Sequence, residues 1–123
     1  MATRTITTEN FEETVTSNDI VLIDFWAAWC GPCRSFAPTY EKVAEQYPEI
    51  VFAKVDTEAE QGLASSFNIM SIPTLMVIRE NVVLFSQASA LPEHTLRELV
   101  EKVRDLDMQE VRRQILDQQS TDA

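Results

Sequence analysis

Residues 20–25 form an apolar run, Ile-Val-Leu-Ile-Asp-Phe, that a single charge interrupts at Asp24. A continuous apolar run of this length is typical of a strand that is covered on both faces. Such strands lie in the middle of parallel sheets, where helical crossovers join one strand to the next. The run therefore predicts an α/β protein with residues 20–25 at the centre of its sheet.

Strand and helix patterns alternate on both sides of this run. Strands are predicted at residues 4–7, 50–56, 75–78 and 82–86, and helices at about 8–17, 31–46, 60–67 and from Pro92 onward. Pro38 is expected to bend the second helix. Glu80-Asn81 is expected to form a hairpin turn, because asparagine tolerates positive φ. The order βαβαβα followed by ββα predicts a mixed sheet flanked by helices, with right-handed crossovers and an antiparallel edge.

Length and charge restrict the possible functions. The chain has 123 residues, which suits one domain, and a net charge of −10, which argues against nucleic-acid and anionic-membrane partners. No run approaches the roughly 18 apolar residues of a membrane span, and the N-terminus resembles no secretory signal. We expect a monomer in the cytoplasm.

The strongest motif is the string Trp29-Cys30-Gly31-Pro32-Cys33. It follows a buried strand and begins a helix inside a βαβ pattern, which is typical of redox cysteine pairs. Free N–H groups and the dipole at a helix N-terminus stabilise a thiolate, the attacking form of cysteine. We therefore expect Cys30 to be the nucleophile. Cys33, one turn into the helix, is expected to be the less exposed, resolving thiol.

The alternative for the cysteine pair is half of a metal site. Zinc requires four ligands, whereas the chain offers two cysteines and one histidine, His94, far away in sequence. The redox interpretation is therefore favoured, and no bound metal is expected. Met70 and Met76 are expected simply to fill space.

Residues 24–34, Asp-Phe-Trp-Ala-Ala-Trp-Cys-Gly-Pro-Cys-Arg, resemble the active-site segment of bacterial thioredoxins. The strings Ala53-Lys54-Val55-Asp56 and Ile72-Pro73-Thr74 follow at the spacing of that family. The resemblance extends from about residue 4 to residue 104 and implies the thioredoxin fold. We therefore predict a thioredoxin domain over residues 1–104 and a C-terminal extension, helical or disordered, over residues 105–123.

The resemblance also implies roles for individual residues. Cys30 attacks a substrate disulfide, and Cys33 then resolves the mixed disulfide. Asp24 is the buried proton acceptor for Cys33, with its pKa raised by burial, and Lys54 is expected close enough to pair with it. Pro73 is the cis-proline that faces the sulfurs. Gly31 and Pro32 support the pair, and an apolar docking groove is formed by Trp29, Ile72, Ala88, Ser89 and Ala90.

The implied activity is that of a protein-disulfide reductase with no bound cofactor. Its electrons come from NADPH through a separate thioredoxin reductase, and its substrates are disulfide-containing proteins. Two alternatives remain at this point: an oxidase or isomerase that works in the opposite direction, and a redox-inert subunit that uses the same surface to bind proteins. A measured reduction potential distinguishes a reductase from the first alternative. A Cys30→Ser variant distinguishes it from the second, because a pure binding subunit keeps its function without this cysteine.

The chain departs from the family in two regions. Asn81 and Ser89 stand where thioredoxins usually carry glycine. Asn81 is a tolerable substitute, whereas Ser89 adds a side chain where the substrate backbone is expected to approach closely, which bears on the range of substrates. In the extension, Met108, Val111 and Ile115 form an apolar stripe that is rotated from the stripe of the preceding helix by roughly 120°. One straight helix cannot bury both stripes on the same surface, so we predict either a bend or break near residues 105–107 or a partner that covers the second stripe.

Overall fold

The computed structural model describes residues 2–121. Five strands and five helices alternate in it as follows: β1 (Thr3–Thr5), α1 (Phe11–Thr16), β2 (Ile20–Trp26), α2 (Gly31–Gln46), β3 (Val51–Asp56), α3 (Gln61–Ser66), β4 (Thr74–Arg79), β5 (Val82–Gln87), α4 (Glu93–Asp105) and α5 (Met108–Thr121).

The strands form one mixed sheet in the order β1-β3-β2-β4-β5. Strands β1, β3 and β2 are parallel, while β4 is antiparallel to β2, and β5 to β4. This topology confirms the predicted fold class. It places the carboxyl end of β2 beside the start of β4, since those two strands run in opposite directions.

Strand β2 is central, and its side chains from Ile20 to Phe25 are buried on both faces of the sheet. Leu22 packs with Tyr40 of α2 and Leu96 of α4 on one face. Val21, Ile23 and Phe25 pack toward the α1 and α3 side on the other face. The continuous apolar run in the sequence is thus explained by two separate cores, one on each side of the sheet.

The first helix begins later than its sequence pattern predicts. Both the backbone N–H and the hydroxyl of Thr8 donate to Glu60 Oε1, at 2.9 and 3.0 Å. Thr8 therefore ties the loop to the start of α3, and Asn10 takes the N-cap position of α1 instead. Pro92 likewise lies at the N-cap of α4 rather than in its first turn.

The β4–β5 hairpin turns through two residues with positive φ, Glu80 at 52° and Asn81 at 66°. Only Asn81 is expected from its residue type, because glutamate rarely adopts this conformation. Helix α2 continues through Pro38 without interruption.

The predicted break between the last two helices falls at Leu106 and Asp107. Arg79 Nη1 donates to three backbone carbonyls at the end of α4, those of Val103 (2.8 Å), Leu106 (3.2 Å) and Arg104 (3.3 Å). A cation at a helix C-terminus stabilises its free carbonyls. Helix α5 then starts with a buried Met108 and forms an ion pair from Arg112 to Glu80 in the hairpin turn. None of the helices in the described part of the chain is long and apolar enough to cross a membrane.

Candidate active site

Cys30 and Cys33 form a disulfide at the N-terminus of α2. Cys30 is the N-cap of this helix, with an extended backbone, and its Sγ accepts a hydrogen bond of 3.2 Å from the Cys33 N–H. The same N–H group is available to stabilise a Cys30 thiolate when the pair is reduced. The helix therefore provides the electrostatic support that the sequence predicts for the nucleophile.

Both cysteines are buried in the disulfide form of the protein. Cys30 is 4% exposed and Cys33 is 3% exposed. Both sulfurs pack with Ala27, Trp26 and Ile72 in one small apolar cluster. Cys33 is the less exposed of the two, as predicted, although the difference in this oxidised form is small.

The loop before β4 lies against the disulfide. The carbonyl oxygen of Ile72 is 3.8 Å from Cys30 Sγ, and the peptide bond from Ile72 to Pro73 is cis. Strand β4 begins at Thr74, opposite Phe25 near the end of β2. The sheet thus brings residues that are more than 40 positions apart in the sequence to one edge.

An exposed surface lies on one side of the disulfide. Trp29 is 67% exposed and shares a shallow cleft with Met70 and Ile72. A Cβ atom added at Gly31 would meet no other atom within 4 Å, so the space beside that residue is open. Pro32 occupies the first turn of α2. A substrate chain can therefore approach the disulfide from this side.

Trp29 is held in place by a residue that the sequence analysis missed. Its Nε1–H donates to Glu58 Oε1 at 2.6 Å. Glu58 lies in the turn after β3, where Asp56 Oδ1 accepts from the Glu58 backbone N–H at 2.9 Å. In the sequence, only the turn expected after Asp56 could have indicated a hydrogen bond between Glu58 and Trp29.

The segment Ala88-Ser89-Ala90 follows the end of β5. Gln87, the last residue of β5, is paired with Leu75 of β4, so this segment leaves the sheet at the same edge as Pro73. Ala88 and Ala90 are exposed and Ser89 is partly buried. The segment lies on the edge of the sheet that carries the disulfide.

Asp24 is completely buried on the face of β2 that α2 covers, and neither of its carboxylate oxygens has a hydrogen-bond partner in the described structure. Burial raises the pKa of Asp24 from 3.8 to about 7, and the charge of Lys54 moderates this increase. A carboxyl group with this pKa can accept or release a proton near neutral pH.

Lys54 is the register partner of Asp24 on the neighbouring strand β3. Its Nζ lies over the Trp26 ring, 5.2 Å from the ring centroid, and no ion pair to Asp24 is formed. Their interaction is therefore a longer-range Coulombic one rather than the direct pair that the sequence analysis expected. Within the described residues, no group of three or more His, Cys, Asp or Glu side chains is arranged to hold a metal ion.

Comparisons with known proteins agree with this geometry. The Thioredoxin family model matches residues 2–102. The chain is 56% identical over 115 residues to "Putative thioredoxin 2" of Streptomyces coelicolor, which covers 94% of this chain and 86% of that relative. It is 40% identical over 99 residues to thioredoxin 1 of a Nostoc species, covering 79% and 92% of the two chains.

A solved thioredoxin structure from Plasmodium falciparum superimposes with a TM-score of 0.75 at 33% identity, covering 80% of this chain and 97% of that one. Fold and site together define a protein thiol–disulfide oxidoreductase whose redox-active group is the Cys30–Cys33 disulfide. The chain belongs to the thioredoxin family.

Proposed function

We propose that this protein works as a reductant: a general protein-disulfide reductase that carries electrons to disulfide-containing proteins in the cytoplasm. The observation that carries the proposal is the position of Cys30. Its sulfur caps α2 and lies 3.8 Å from the Ile72 carbonyl, beside a cleft with an exposed tryptophan. A compartment that keeps thiols reduced is the one in which a dithiol donor can be recycled.

In the proposed reaction, the Cys30 thiolate attacks one sulfur of a substrate disulfide. A bond forms between Cys30 Sγ and that sulfur, while the other substrate sulfur leaves as a thiolate and takes up a proton. Cys33 then loses its proton and attacks Cys30, which forms the intramolecular disulfide and releases the second substrate thiol. Two electrons pass to the substrate, and the protein ends in the oxidised form.

Asp24 is the proposed proton acceptor for Cys33. It lies on the sheet face that α2 covers, and the pKa of about 7 that burial gives its carboxyl matches proton transfer near neutrality. Lys54 is proposed to adjust this pKa through its charge. Since Lys54 makes no direct ion pair with Asp24, the carboxyl keeps the high proton affinity that the role requires.

The substrate is proposed to dock on Trp29, Ile72 and the segment from Ala88 to Ala90, next to the cis peptide bond of Pro73. Trp29 and Ile72 line one cleft, and the segment leaves the sheet at the same edge. An extended substrate chain that pairs with the Ile72 backbone brings its disulfide to Cys30.

Regeneration is proposed to occur through a thioredoxin reductase that passes electrons from NADPH to the Cys30–Cys33 disulfide. The protein itself holds no cofactor in this scheme and works as a monomer. Light scattering after size-exclusion chromatography tests the monomeric state, for which a mass close to 14.0 kDa is expected.

The decisive experiment is insulin reduction with NADPH and a thioredoxin reductase, comparing the wild type with Cys30→Ser. The wild type is expected to consume NADPH and precipitate insulin, and the variant to do neither. A reduction potential of about −270 mV is expected. A much more oxidising reduction potential would show that the protein is an oxidase instead. A Cys30→Ser protein that keeps its full biological function would show that it is a redox-inert binding subunit.

A further inference from the structure

Among the large apolar side chains that the structure describes, Met70 is the most exposed, at 90%, compared with 67% for Trp29. It lies in the loop between α3 and β4. The expectation that Met70 fills space is therefore wrong, although Met76, at 2% exposure, is a core residue as expected. A solvent-exposed thioether can be oxidised, whereas a buried thioether is protected from oxidants in the solvent.

Met70 carries the one accessible sulfur among the side chains that the structure describes. Cys30 and Cys33 are joined in a disulfide and are 4% and 3% exposed, and Met108 is 5% exposed. Oxidation of sulfur follows exposure as well as electronic character. A peroxide molecule that meets the oxidised protein therefore reaches Met70 before the other sulfurs described.

The position of Met70 links this reactivity to substrate docking. Met70 shares its cleft with Trp29 and with Ile72, whose carbonyl oxygen is 3.8 Å from Cys30 Sγ. The cleft is a surface where an apolar side chain of a partner can pack. A strong hydrogen-bond acceptor placed there must lose its water when a partner docks, which costs free energy unless a donor replaces that water.

We propose that Met70 is a site of oxidation by hydrogen peroxide and that its sulfoxide weakens the docking of disulfide substrates; this rests on the reductase function proposed above. In this step the thioether sulfur loses two electrons and gains an S–O bond. The O–O bond of the peroxide breaks, and one molecule of water leaves. The product side chain is polar and chiral where the original was apolar and flexible.

The test begins with the wild type in its disulfide form, treated with hydrogen peroxide and then desalted. Tandem mass spectrometry of the tryptic peptide 55–79 separates Met70 from Met76, and other peptides report on Met1 and Met108. The protein is then reduced with dithiothreitol, and the second-order rate constant for insulin reduction is measured. Each protein is compared with its own untreated sample.

We expect oxidation at Met70 to exceed that at Met76 and Met108, with a fall in the rate constant of about three- to tenfold, the size of effect that a single lost docking contact produces. After peroxide treatment, the rate constant of Met70→Leu is expected to stay unchanged, whereas that of the matched control Met108→Leu is expected to fall as in the wild type. Met70→Gln, which is polar without any oxidant, is expected to reproduce the fall.

Equal oxidation of Met70 and the buried methionines would overturn the proposal. So would an unchanged rate constant after complete oxidation of Met70, or an equal loss in Met70→Leu. Failure of the untreated protein to reduce insulin would instead refute the proposed function, and the peptide map would still decide whether Met70 is the oxidised residue.

Discussion

Asp24 and Lys54 are register partners on the parallel strands β2 and β3, yet no hydrogen bond or ion pair joins them. The ammonium group lies over Trp26, and the carboxyl group stays buried without a partner. A direct ion pair would hold the pKa of Asp24 low, whereas this arrangement lets burial raise it. The separation of the two groups is therefore what leaves a carboxyl that titrates near pH 7.

Replacing Asp24 with asparagine is expected to change how stability depends on pH. Burial raises the pKa of Asp24 to about 7 in the folded protein, against 3.8 for an unperturbed aspartate. The folded state thus binds more protons between these pH values, so the wild type loses stability as pH rises from about 4 to about 7. The difference in pKa corresponds to on the order of 4 kcal/mol.

Urea denaturation of the oxidised proteins at pH 4 and pH 8 measures this effect. Between those pH values, the free energy of unfolding of the wild type is expected to fall relative to Asp24→Asn by as much as about 4 kcal/mol. Asp105→Asn, at an exposed position, serves as the matched control and is expected to follow the wild type. Parallel curves for the wild type and Asp24→Asn would contradict the raised pKa.

Lys54→Met is expected to raise the pKa of Asp24 further. The positive charge of Lys54 lowers this pKa, so its removal leaves burial unopposed. Carbon NMR titration of the Asp24 carboxyl group measures the change directly. Lys42→Met, which removes a surface lysine paired with Glu93, is expected to leave the titration where it is. An unchanged or lower pKa in Lys54→Met would show that the lysine has no influence on the carboxyl.

Cys33→Ser is expected to trap substrates as mixed disulfides. In the proposed reaction, Cys30 still attacks, but no second thiol is present to release the substrate. Non-reducing electrophoresis after incubation with insulin detects the covalent adduct, which dithiothreitol should dissolve. The double variant with Cys30→Ser is the control and is expected to form none. Insulin adducts in the double variant would mean that a group other than Cys30 attacks the substrate disulfide.

Glu58→Ala is expected to free the Trp29 indole, since it removes the acceptor of the 2.6 Å hydrogen bond. Time-resolved fluorescence anisotropy in a Trp26→Phe background reports on Trp29 alone, and a wider angular motion is expected. The KM for insulin is expected to rise about two- to fivefold, because docking must then order the ring again. Glu60→Ala, which loses contacts to Thr8 instead, is the control. Equal anisotropy decays in both variants would show that Glu58 does not restrain the indole.

The sequence was sufficient to predict the sheet and the cysteine pair. Residues 20–25 carry an apolar pattern that is typical of a strand buried on both faces, and both cores of the structure pack on it. The helix N-terminus that supports Cys30 is formed by the residues that directly follow it. The position and chemistry of the cysteine pair can therefore be predicted from this one short segment.

Features that depend on distant contacts could not be predicted in the same way. Thr8 donates to Glu60, which is 52 positions away, and lies outside α1. The Lys54 ammonium group lies over the Trp26 ring rather than beside Asp24. Both residues are on the neighbouring strand, and the sequence does not indicate which of them Lys54 contacts. The exposure of Met70 likewise depends on the path of a loop, and an apolar residue in a loop gives no periodic pattern from which to predict it.

Removing α5 by ending the chain after Asp107 is expected to lower stability without lowering insulin reduction. Two features connect α5 to the rest of the protein: Met108 at its start is buried, and Arg112 forms an ion pair with Glu80 in the hairpin turn. Glu80 follows the far end of β4, and Pro73 precedes its near end. Six strand residues separate these ends by about 17 Å, so α5 is remote from the disulfide.

The expected loss in the free energy of unfolding is about 2 kcal/mol, because burial of one methionine contributes most of it and a surface ion pair adds little. Met108→Ala should reproduce most of this loss, whereas Leu116→Ala, at a residue that is 62% exposed, should change nothing. Urea denaturation and the KM for insulin, measured on the same samples, decide the question. A raised KM in a truncated protein that is still fully folded would mean that α5 takes part in docking, and that residues 1–104 alone do not form the functional unit.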